Sequence, residues 1–301
     1  MDHTDKVKSL TPDVLYHYTS QKGLLGIISQ MAIWASSIHY LNDSSEYAYA
    51  QTILREEIAS IRKSVSAEDS DFLDTESEYM GSGQGSDVFV TSFSEVGDLL
   101  SQWRGYCQAG SGVSIGFDFS LLKETAEKNY LTLAKCIYDV QEQKRLIRQL
   151  LYDTLKVCQL SRAAGASHLG IESHALNYFH QGSRVQFQNI STLPPSEGFN
   201  SIAPLLKHPS YSEEKEWRVV QRPWLLKEKG QEPWQFREGK NAVIPYVLFR
   251  LADKNQQPII RQIIIGPTPF PDLFLDSVRQ FLAYERIRDC TLLKSAIPYR
   301  G

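Results

Sequence analysis

The chain has 301 residues, of which 42% are hydrophobic and 22% are charged, as is typical of an ordinary globular protein. Its 32 basic and 35 acidic residues give a net charge of −3, which argues against a protein that mainly binds nucleic-acid phosphates non-specifically. The four cysteines show neither zinc-ligand spacing nor a compact disulfide pattern, so we expect reduced thiols. The first residues lack a signal peptide's apolar core and no apolar run could span a bilayer, so we expect a cytoplasmic protein without membrane contact.

A histidine lies in the first predicted strand, Val14–Ser20. Strand alternation puts His17 and Thr19 on one face and Tyr16 and Tyr18 on the other. A histidine among aromatic rings is either a half-buried side chain whose polar atoms are satisfied internally, or a donor at the edge of a ligand pocket. Its partners must come from later in the sequence.

Helix and turn signals follow in the next 70 residues. Ser20 is a suitable N-cap for a helix whose Leu24, Ile27 and Ile28 share a face. Asp43 or Ser44 is predicted to cap a second helix with Glu46 in its first turn, which explains these acidic residues by capping and the helix dipole. The Ser-, Asp-, Glu- and Gly-rich residues 64–85 predict a mobile acidic loop.

A dense stretch of candidate site residues begins at Asp87. The β-branched and aromatic run 87–95 predicts a strand in which Ser92 and Ser94 share a face. A short helical segment then carries Trp103 and Arg104, where the arginine either binds a carboxylate or phosphate or stacks on a ring. The alternating strand 113–118 is expected to pair antiparallel with strand 87–95.

The rest of the chain predicts a helical insert followed by more strands. The insert covers about residues 121–200, with a strand candidate at 131–138 and helices at 139–160 and 168–181. Strands are predicted at 243–249, 259–267 and 290–293, and a helix from Pro271 to Tyr284. Strands at both ends with helices in the middle predict one α+β domain over residues 1–301.

Two glutamates lie in the predicted strand that ends near Val220. In a strand, Glu214, Glu216 and Arg218 share one face. Two carboxylates this close raise the pKa of at least one of them if they are partly buried. The alternative interpretation is a solvated strand edge with Glu216 paired to Arg218.

Several sequence blocks together resemble a widespread bacterial family catalogued as a domain of unknown function, over nearly the whole chain. These blocks are Leu-Tyr-His-Tyr-Thr-Ser at 15–20, Tyr-Leu-Asn-Asp-Ser-Ser-Glu at 40–46, Ser-Phe-Ser-Glu at 92–95, Leu-Ser-Gln-Trp-Arg-Gly-Tyr at 100–106, Gly-Val-Ser-Ile-Gly-Phe-Asp at 112–118 and Glu-Lys-Glu-Trp-Arg at 214–218. Their order resembles the ADP-ribosyltransferase superfamily, which includes DNA-modifying toxins. The resemblance implies an α+β fold with a split, mixed or antiparallel β-sheet core and a helical insertion.

The same resemblance implies a site that uses NAD as substrate. His17 would hold the adenine-side ribose or the nicotinamide amide, in a cleft that faces Glu216, with Tyr18 and Thr19 beside it. Ser92 or Ser94 would line the middle of the site, and Trp103 and Arg104 would add cofactor contacts. Glu216 would stabilise the oxocarbenium ion as the glycosidic bond breaks, and Glu214 would orient or deprotonate the acceptor.

Three functions therefore compete. The first is an NAD-dependent ADP-ribosyltransferase or NAD glycohydrolase, as a toxin or phage-defence effector that acts on nucleic acid or protein. The second is a non-catalytic nucleotide or nucleic-acid binding module in which Arg104 and Arg218 contact phosphate. The third is a metal-dependent hydrolase that uses His39, Asp43 and Glu46.

Overall fold

The computed structural model describes ten strands and eight α-helices within residues 11–40, 45–81, 88–107, 111–129, 131–163, 195–221, 234–239, 241–251 and 259–299. The strands are β1 (Val14–Ser20), β2 (Ala32–Ser37), β3 (Phe89–Ser94), β4 (Gly112–Asp118), β5 (Thr132–Lys135), β6 (Glu216–Gln221), β7 (Gln235–Glu238), β8 (Val243–Arg250), β9 (Ile260–Ile265) and β10 (Thr291–Lys294). The helices are α1 (Gln21–Gln30), α2 (Ser45–Ile61), α3 (Ala67–Gly81), α4 (Leu100–Tyr106), α5 (Phe119–Lys128), α6 (Val140–Ala163), α7 (Pro195–Ile202) and α8 (Pro271–Tyr284).

The ten strands form one mixed sheet. Its main order is β10-β9-β4-β1-β3-β2-β8-β7, with β6 paired to β3 and β5 paired to β6. Strands β9 and β10 run parallel, and the other pairs among these strands are antiparallel. The predicted α+β class with a mixed sheet is therefore confirmed.

The sheet splits at the middle of β3. Along one edge, β3 pairs with β6 over its whole length. The other edge is shared, because β2 pairs with Phe89 and Val90 while β1 pairs with Ser94 alone. Strands β1 and β2 diverge between these points, so Ser92 lies where the sheet opens.

Each face of the sheet has its own hydrophobic core. The first face carries Leu15, Phe93 and Val219, and it packs against apolar side chains of α1, α5 and α8. The second face carries Val90 and Val220, which pack against α2, α3, α6 and α7. Burial of these apolar stripes is what holds the helices on the sheet.

Most of the predicted elements are present near their predicted limits. The Ser20 hydroxyl accepts a hydrogen bond from the Gly23 amide at 3.1 Å and so caps α1 as expected. Helix α8 spans the predicted residues Pro271–Tyr284. Strand β5 lies inside the expected helical insert and joins the sheet through β6. The helix predicted at 168–181 and the capping residue Asp43 lie outside the described residues.

Two predictions about the first 120 residues are wrong. Residues 67–81 form helix α3 rather than a mobile loop, because Leu73 is buried in the core and Asp69 pairs with Arg162 of α6 at 2.8 Å. Strand β4 pairs with β1 and β9 instead of β3. In the sequence, helix α4 lies between β3 and β4, and it packs on β1. Strand β4 therefore pairs with the edge of β1 that faces away from β3.

No described helix has both the length and the apolarity needed to cross a membrane.

Candidate functional site

The candidate site is an ionic cluster at the start of β6, on the second face of the sheet. We call it the β6 cluster, and its members are Glu46, Lys207, Glu214, Glu216 and Arg218. Glu216, Arg218 and Lys207 are at most 3% exposed, and Glu46 is 8% exposed. Burial of so many charges is unusual, because each ion loses its hydration unless a partner replaces it.

The local backbone explains how the two glutamates come together. Glu214 ends a 3-10 helix, Pro209–Glu214, and Glu216 begins β6. Lys215 between them adopts the left-handed conformation, with a φ of 42°, which is uncommon for a residue other than glycine. The prediction that Glu214 belongs to the strand is therefore wrong. Both carboxylates nevertheless bind the same ammonium group.

Arg218 organises the buried half of the cluster. Its Nε donates to Glu216 Oε1 at 2.7 Å, and one terminal nitrogen donates to Glu46 Oε2 at 2.5 Å. The other terminal nitrogen donates to the carbonyl of Pro204 at 2.7 Å. All three guanidinium nitrogens are committed inside the protein, so Arg218 is unavailable as the phosphate contact expected for a binding module.

Lys207 joins all three carboxylates. Its Nζ lies 2.5 Å from Glu214 Oε2, 2.5 Å from Glu216 Oε2 and 3.3 Å from Glu46 Oε1. Burial alone would lower the pKa of Lys207, but the carboxylates outweigh burial and raise that pKa. The ammonium group is thus fixed in its charged form.

The two neighbouring glutamates have opposite pKa shifts. Burial opposes ionisation of Glu216, but Arg218 and Lys207 dominate and lower its pKa to about 2. In Glu214, burial dominates over the contact with Lys207, and the pKa is raised. The expectation that at least one carboxylate would have a raised pKa is confirmed. The solvated strand edge is excluded for Glu216, although its pairing with Arg218 is real.

Three side chains around the cluster were not expected from the sequence. The Tyr138 hydroxyl accepts a hydrogen bond from the Glu216 amide at 2.9 Å. Tyr106 is 41% exposed, and the pKa of its hydroxyl is raised by desolvation of that group and by the charge of Glu216. The pKa of the buried Cys136 thiol is raised by the same two causes. Tyr106 thus places an accessible aromatic ring within the electrostatic reach of the glutamates.

Ser94 and Ser92 border the cluster along β3. In the register of the sheet, Ser94 lies opposite Glu216 and Ser92 lies opposite Arg218. The Ser94 hydroxyl donates to the Glu214 carbonyl at 2.7 Å and accepts from the Val96 amide at 3.0 Å. Ser94 therefore holds the turn that carries Glu214, while Ser92 is only half-buried at the split of the sheet.

His17 lies at the same split but leaves the sheet from the other face. Its Nδ1 is 2.9 Å from the Ser92 carbonyl, and its ring contacts Phe93 of the first face at 5.8 Å. Burial lowers the pKa of His17 more than the contact with Ser92 raises it, so the ring is neutral at pH 7 and its Nδ1 donates the proton. Tyr16 lies opposite Ser94, and Ser94 lies opposite Glu216, so these three side chains are on the same face of the sheet. The next residue in β1, His17, is on the other face and points away from Glu216. The expected single cleft between His17 and Glu216 is therefore absent.

The other expected cofactor contacts lie under α4. The Tyr18 hydroxyl donates to the Val96 carbonyl at 2.7 Å, and its ring meets the edge of Trp103 at 4.7 Å. The Trp103 indole donates to Asp98 at 2.7 Å. Thr19 offers its carbonyl to the Cys107 thiol at 3.4 Å. The structure thus gives Tyr18 and Trp103 packing roles.

Arg104 is exposed on α4, which begins four residues before it. The same short helix carries Tyr106, so the exposed arginine and the ring beside the β6 cluster come from one element. Of the arginines expected to contact phosphate, Arg104 is the one that the structure leaves accessible.

Metal chemistry has little support in the described residues. No group of three or more histidine, cysteine, aspartate or glutamate side chains in this part of the chain could hold a metal ion. Glu46, one of the three expected ligands, is bound by Arg218 and Lys207. The hydrolase hypothesis thus loses one of its two carboxylates, while the other, Asp43, lies outside the described residues.

The comparisons with known proteins bear on this region of the chain. The model of a family described as "Protein of unknown function (DUF2971)" matches residues 102–219, a shorter range than the sequence blocks implied. Neither the curated proteins nor the solved structures gave a significant match. The matched range runs from α4 into β6, so it includes Tyr106, Lys207, Glu214, Glu216 and Arg218. Residues 102–219 are therefore similar to a family of unknown function, which is the kind of family that the sequence blocks resemble.

Proposed function

We propose that the β6 cluster cleaves the N-glycosidic bond of NAD, as an ADP-ribosyltransferase or NAD glycohydrolase. The observation that carries the proposal is that three carboxylates surround two cations, Lys207 and Arg218. When Glu214 is ionised, the cluster holds an excess negative charge. Such a charge stabilises the oxocarbenium ion that forms when an N-glycosidic bond breaks.

The free acceptor capacity of Glu216 suits this role. A carboxylate offers about four lone-pair positions, and Glu216 receives hydrogen bonds from Arg218 Nε, from an Arg218 terminal nitrogen at 3.1 Å and from Lys207. One position is left for a hydroxyl group, such as that of the nicotinamide ribose. Because the pKa of Glu216 is about 2, the carboxylate is ionised at every physiological pH.

Glu214 is suited to accept a proton. Its pKa is raised, and its side chain is more exposed than that of Glu216. In the reaction, the bond between ribose C1′ and the nicotinamide nitrogen breaks and the electron pair leaves with nicotinamide. A water or an acceptor hydroxyl then bonds to C1′, and its proton passes to Glu214. The acceptor would be a nucleic acid or a protein, in the setting of a toxin or a phage-defence effector.

His17 has a different part in this proposal from the one that the resemblance implied. It holds the Ser92 carbonyl at the split from the opposite face, so it acts as a positioning residue. Tyr106 takes over as the exposed ring next to the glutamates, where a planar nicotinamide can pack.

The test is incubation of the full chain with NAD and measurement of released nicotinamide, with labelled NAD to detect transfer to DNA, RNA or protein. We expect Glu214→Gln to reduce release at least tenfold. The matched control is Glu213→Gln, because Glu213 is the exposed neighbour outside the cluster and its variant should keep full activity. If the wild-type chain neither releases nicotinamide nor transfers label, the proposal is wrong.

The second candidate is a nucleotide-binding module without turnover. The full pairing of Glu216 with Arg218 and Lys207 favours it, because a carboxylate that is already neutralised stabilises a cation less well. This candidate predicts that NAD or other nucleotides raise the melting temperature of the chain while no nicotinamide is released.

A further inference from the structure

A second site lies on the part of the sheet formed by β2, β8 and β7, away from the β6 cluster. Arg237 of β7 reaches across β8 and donates to the Ser36 hydroxyl at 3.1 Å. Its Nε is buried and has no hydrogen-bond partner, and no described carboxylate pairs with it. Burial lowers the pKa of Arg237, with only a small opposing effect from Tyr246.

This guanidinium is unusual because arginine cannot escape its charge by losing a proton. A partly desolvated cation without an anion carries a cost, and natural proteins tolerate such costs mainly at functional sites. The terminal nitrogens of Arg237 match the oxygens of a phosphate or carboxylate, which arginine binds in bidentate fashion.

An aromatic pair adjoins this guanidinium on the same face of the sheet. The rings of Trp34 and Tyr246 are in tilted contact, with their centroids 4.6 Å apart and an angle of 30° between their planes. Tyr246 is 7% exposed and Trp34 is 40% exposed, so the indole presents an open surface. Tyr246 is fixed from below because its hydroxyl donates to Gln235 at 2.7 Å.

The register of the sheet places these groups together. Tyr246 lies opposite both Ser36 and Gln235, and Trp34 is two residues from Ser36 along β2. The ring pair and the guanidinium therefore share the second face within one or two strand spacings. An exposed indole stacks on a planar base, and a guanidinium beside it binds the attached phosphate.

We propose that Trp34, Tyr246 and Arg237 form a nucleotide-binding site in which the base stacks on Trp34 and the phosphate binds Arg237. The nucleotide is either free or part of a single strand, since both present the same base and phosphate. The site does not rest on the function proposed for the β6 cluster.

The test measures binding of AMP, adenosine, inorganic phosphate and a single-stranded oligoadenylate of about ten nucleotides to the full chain by calorimetry. We expect AMP to bind at least about tenfold more tightly than adenosine or phosphate alone, because each lacks one of the two contacts. An oligonucleotide that binds more than about tenfold more tightly than AMP identifies a strand as the ligand, and equal affinity identifies a free nucleotide.

The variants separate the two contacts. Arg237→Gln should reduce AMP affinity to that of adenosine. Arg237→Lys should have an intermediate affinity, because lysine keeps the positive charge but cannot donate two parallel hydrogen bonds to the phosphate. Trp34→Leu should weaken AMP binding about tenfold, and Trp34→Phe should restore part of it. Arg261→Gln is the matched control, since Arg261 pairs with Asp118 at an exposed site on β9.

Thermal melts check that each variant is folded. The proposal is overturned if wild-type protein does not bind AMP, or if folded Arg237→Gln and Trp34→Leu bind it as tightly as wild type.

Discussion

Two arginines on the same face of the sheet have opposite environments. Arg218 is 2% exposed, and it donates to two carboxylates and a carbonyl. Arg237 is half-buried, donates to one hydroxyl and keeps a buried Nε without a partner. The pKa of Arg218 is raised well above its ordinary value by the charges of Glu216 and Glu46, which outweigh its burial, whereas the pKa of Arg237 is lowered by burial.

The difference separates charges that serve the fold from charges that are available to a ligand. Removing one partner of a fully paired buried cluster leaves an uncompensated charge and is strongly destabilising. Removing a half-buried cation that has no carboxylate partner among the described residues takes away a cost. The sign and size of the stability change therefore distinguish the two cases.

The largest effect is expected for Arg218→Met, which leaves Glu216 and Glu46 buried with Lys207 as their remaining cation. We expect a loss of about 3–5 kcal/mol in the free energy of unfolding, measured by urea denaturation. The matched control is Arg261→Met, whose exposed pair with Asp118 should contribute at most about 1 kcal/mol. A loss below about 1 kcal/mol in Arg218→Met would mean that the β6 cluster does not hold the fold.

The next effect concerns acid stability and Glu216. Its pKa is lowered from 4.5 to about 2 in the folded chain, so its ionised form stabilises the fold above pH 4.5, and this stability is lost as the pH falls towards 2. The shift corresponds to about 3 kcal/mol. Glu216→Gln should therefore be less stable than wild type at pH 7, with a difference that shrinks below pH 4.5. Urea unfolding from pH 7 to pH 3 measures this, and a difference independent of pH would contradict it.

Glu214 should show a smaller change of opposite sign. Because its folded pKa is raised above 4.5, it contributes stability that is present below pH 4.5 and lost as the pH rises through the folded pKa. Glutamine does not ionise, so Glu214→Gln removes the stability loss that accompanies ionisation of Glu214. Its amide oxygen can still accept a hydrogen bond from Lys207. We expect the variant to equal or exceed wild-type stability at pH 7 by up to about 1 kcal/mol. The same urea series checks it, with Glu213→Gln as the control, and a clear loss of stability at pH 7 would refute it.

The sequence predicts most of the local elements because their signals are local. The Ser20 cap, the periodic apolar face of α1 and the Pro271–Tyr284 helix are all visible in short windows. Helix α3 was missed because its stability comes from distant contacts, such as Asp69 with Arg162. Strand β7 was missed because its four residues carry a weak alternation signal.

The candidate site was predictable only in part, for the same reason. Glu214, Glu216 and Arg218 could be found because they lie close together in the sequence. Glu46 lies 172 residues from Arg218, and its position at a helix start already had a local explanation. Lys207 gave no signal, since an isolated lysine before a proline-containing turn is ordinary at the surface. The orientation of His17 depended on the register between β1 and β3, which the sequence does not specify.

The smallest effect, and the one that most sharpens the contrast between the two arginines, is expected for Arg237→Met. The variant loses one hydrogen bond to Ser36, worth about 1 kcal/mol, but it also removes a partly desolvated cation and adds apolar surface beside Tyr246. We expect the chain to be as stable as wild type or more stable, by less than about 1 kcal/mol, in thermal and urea melts without ligand. A loss of 2 kcal/mol or more would show that the guanidinium serves the fold as Arg218 does. In the presence of AMP the order should reverse, because the nucleotide stabilises wild type through Arg237 and leaves the variant unchanged.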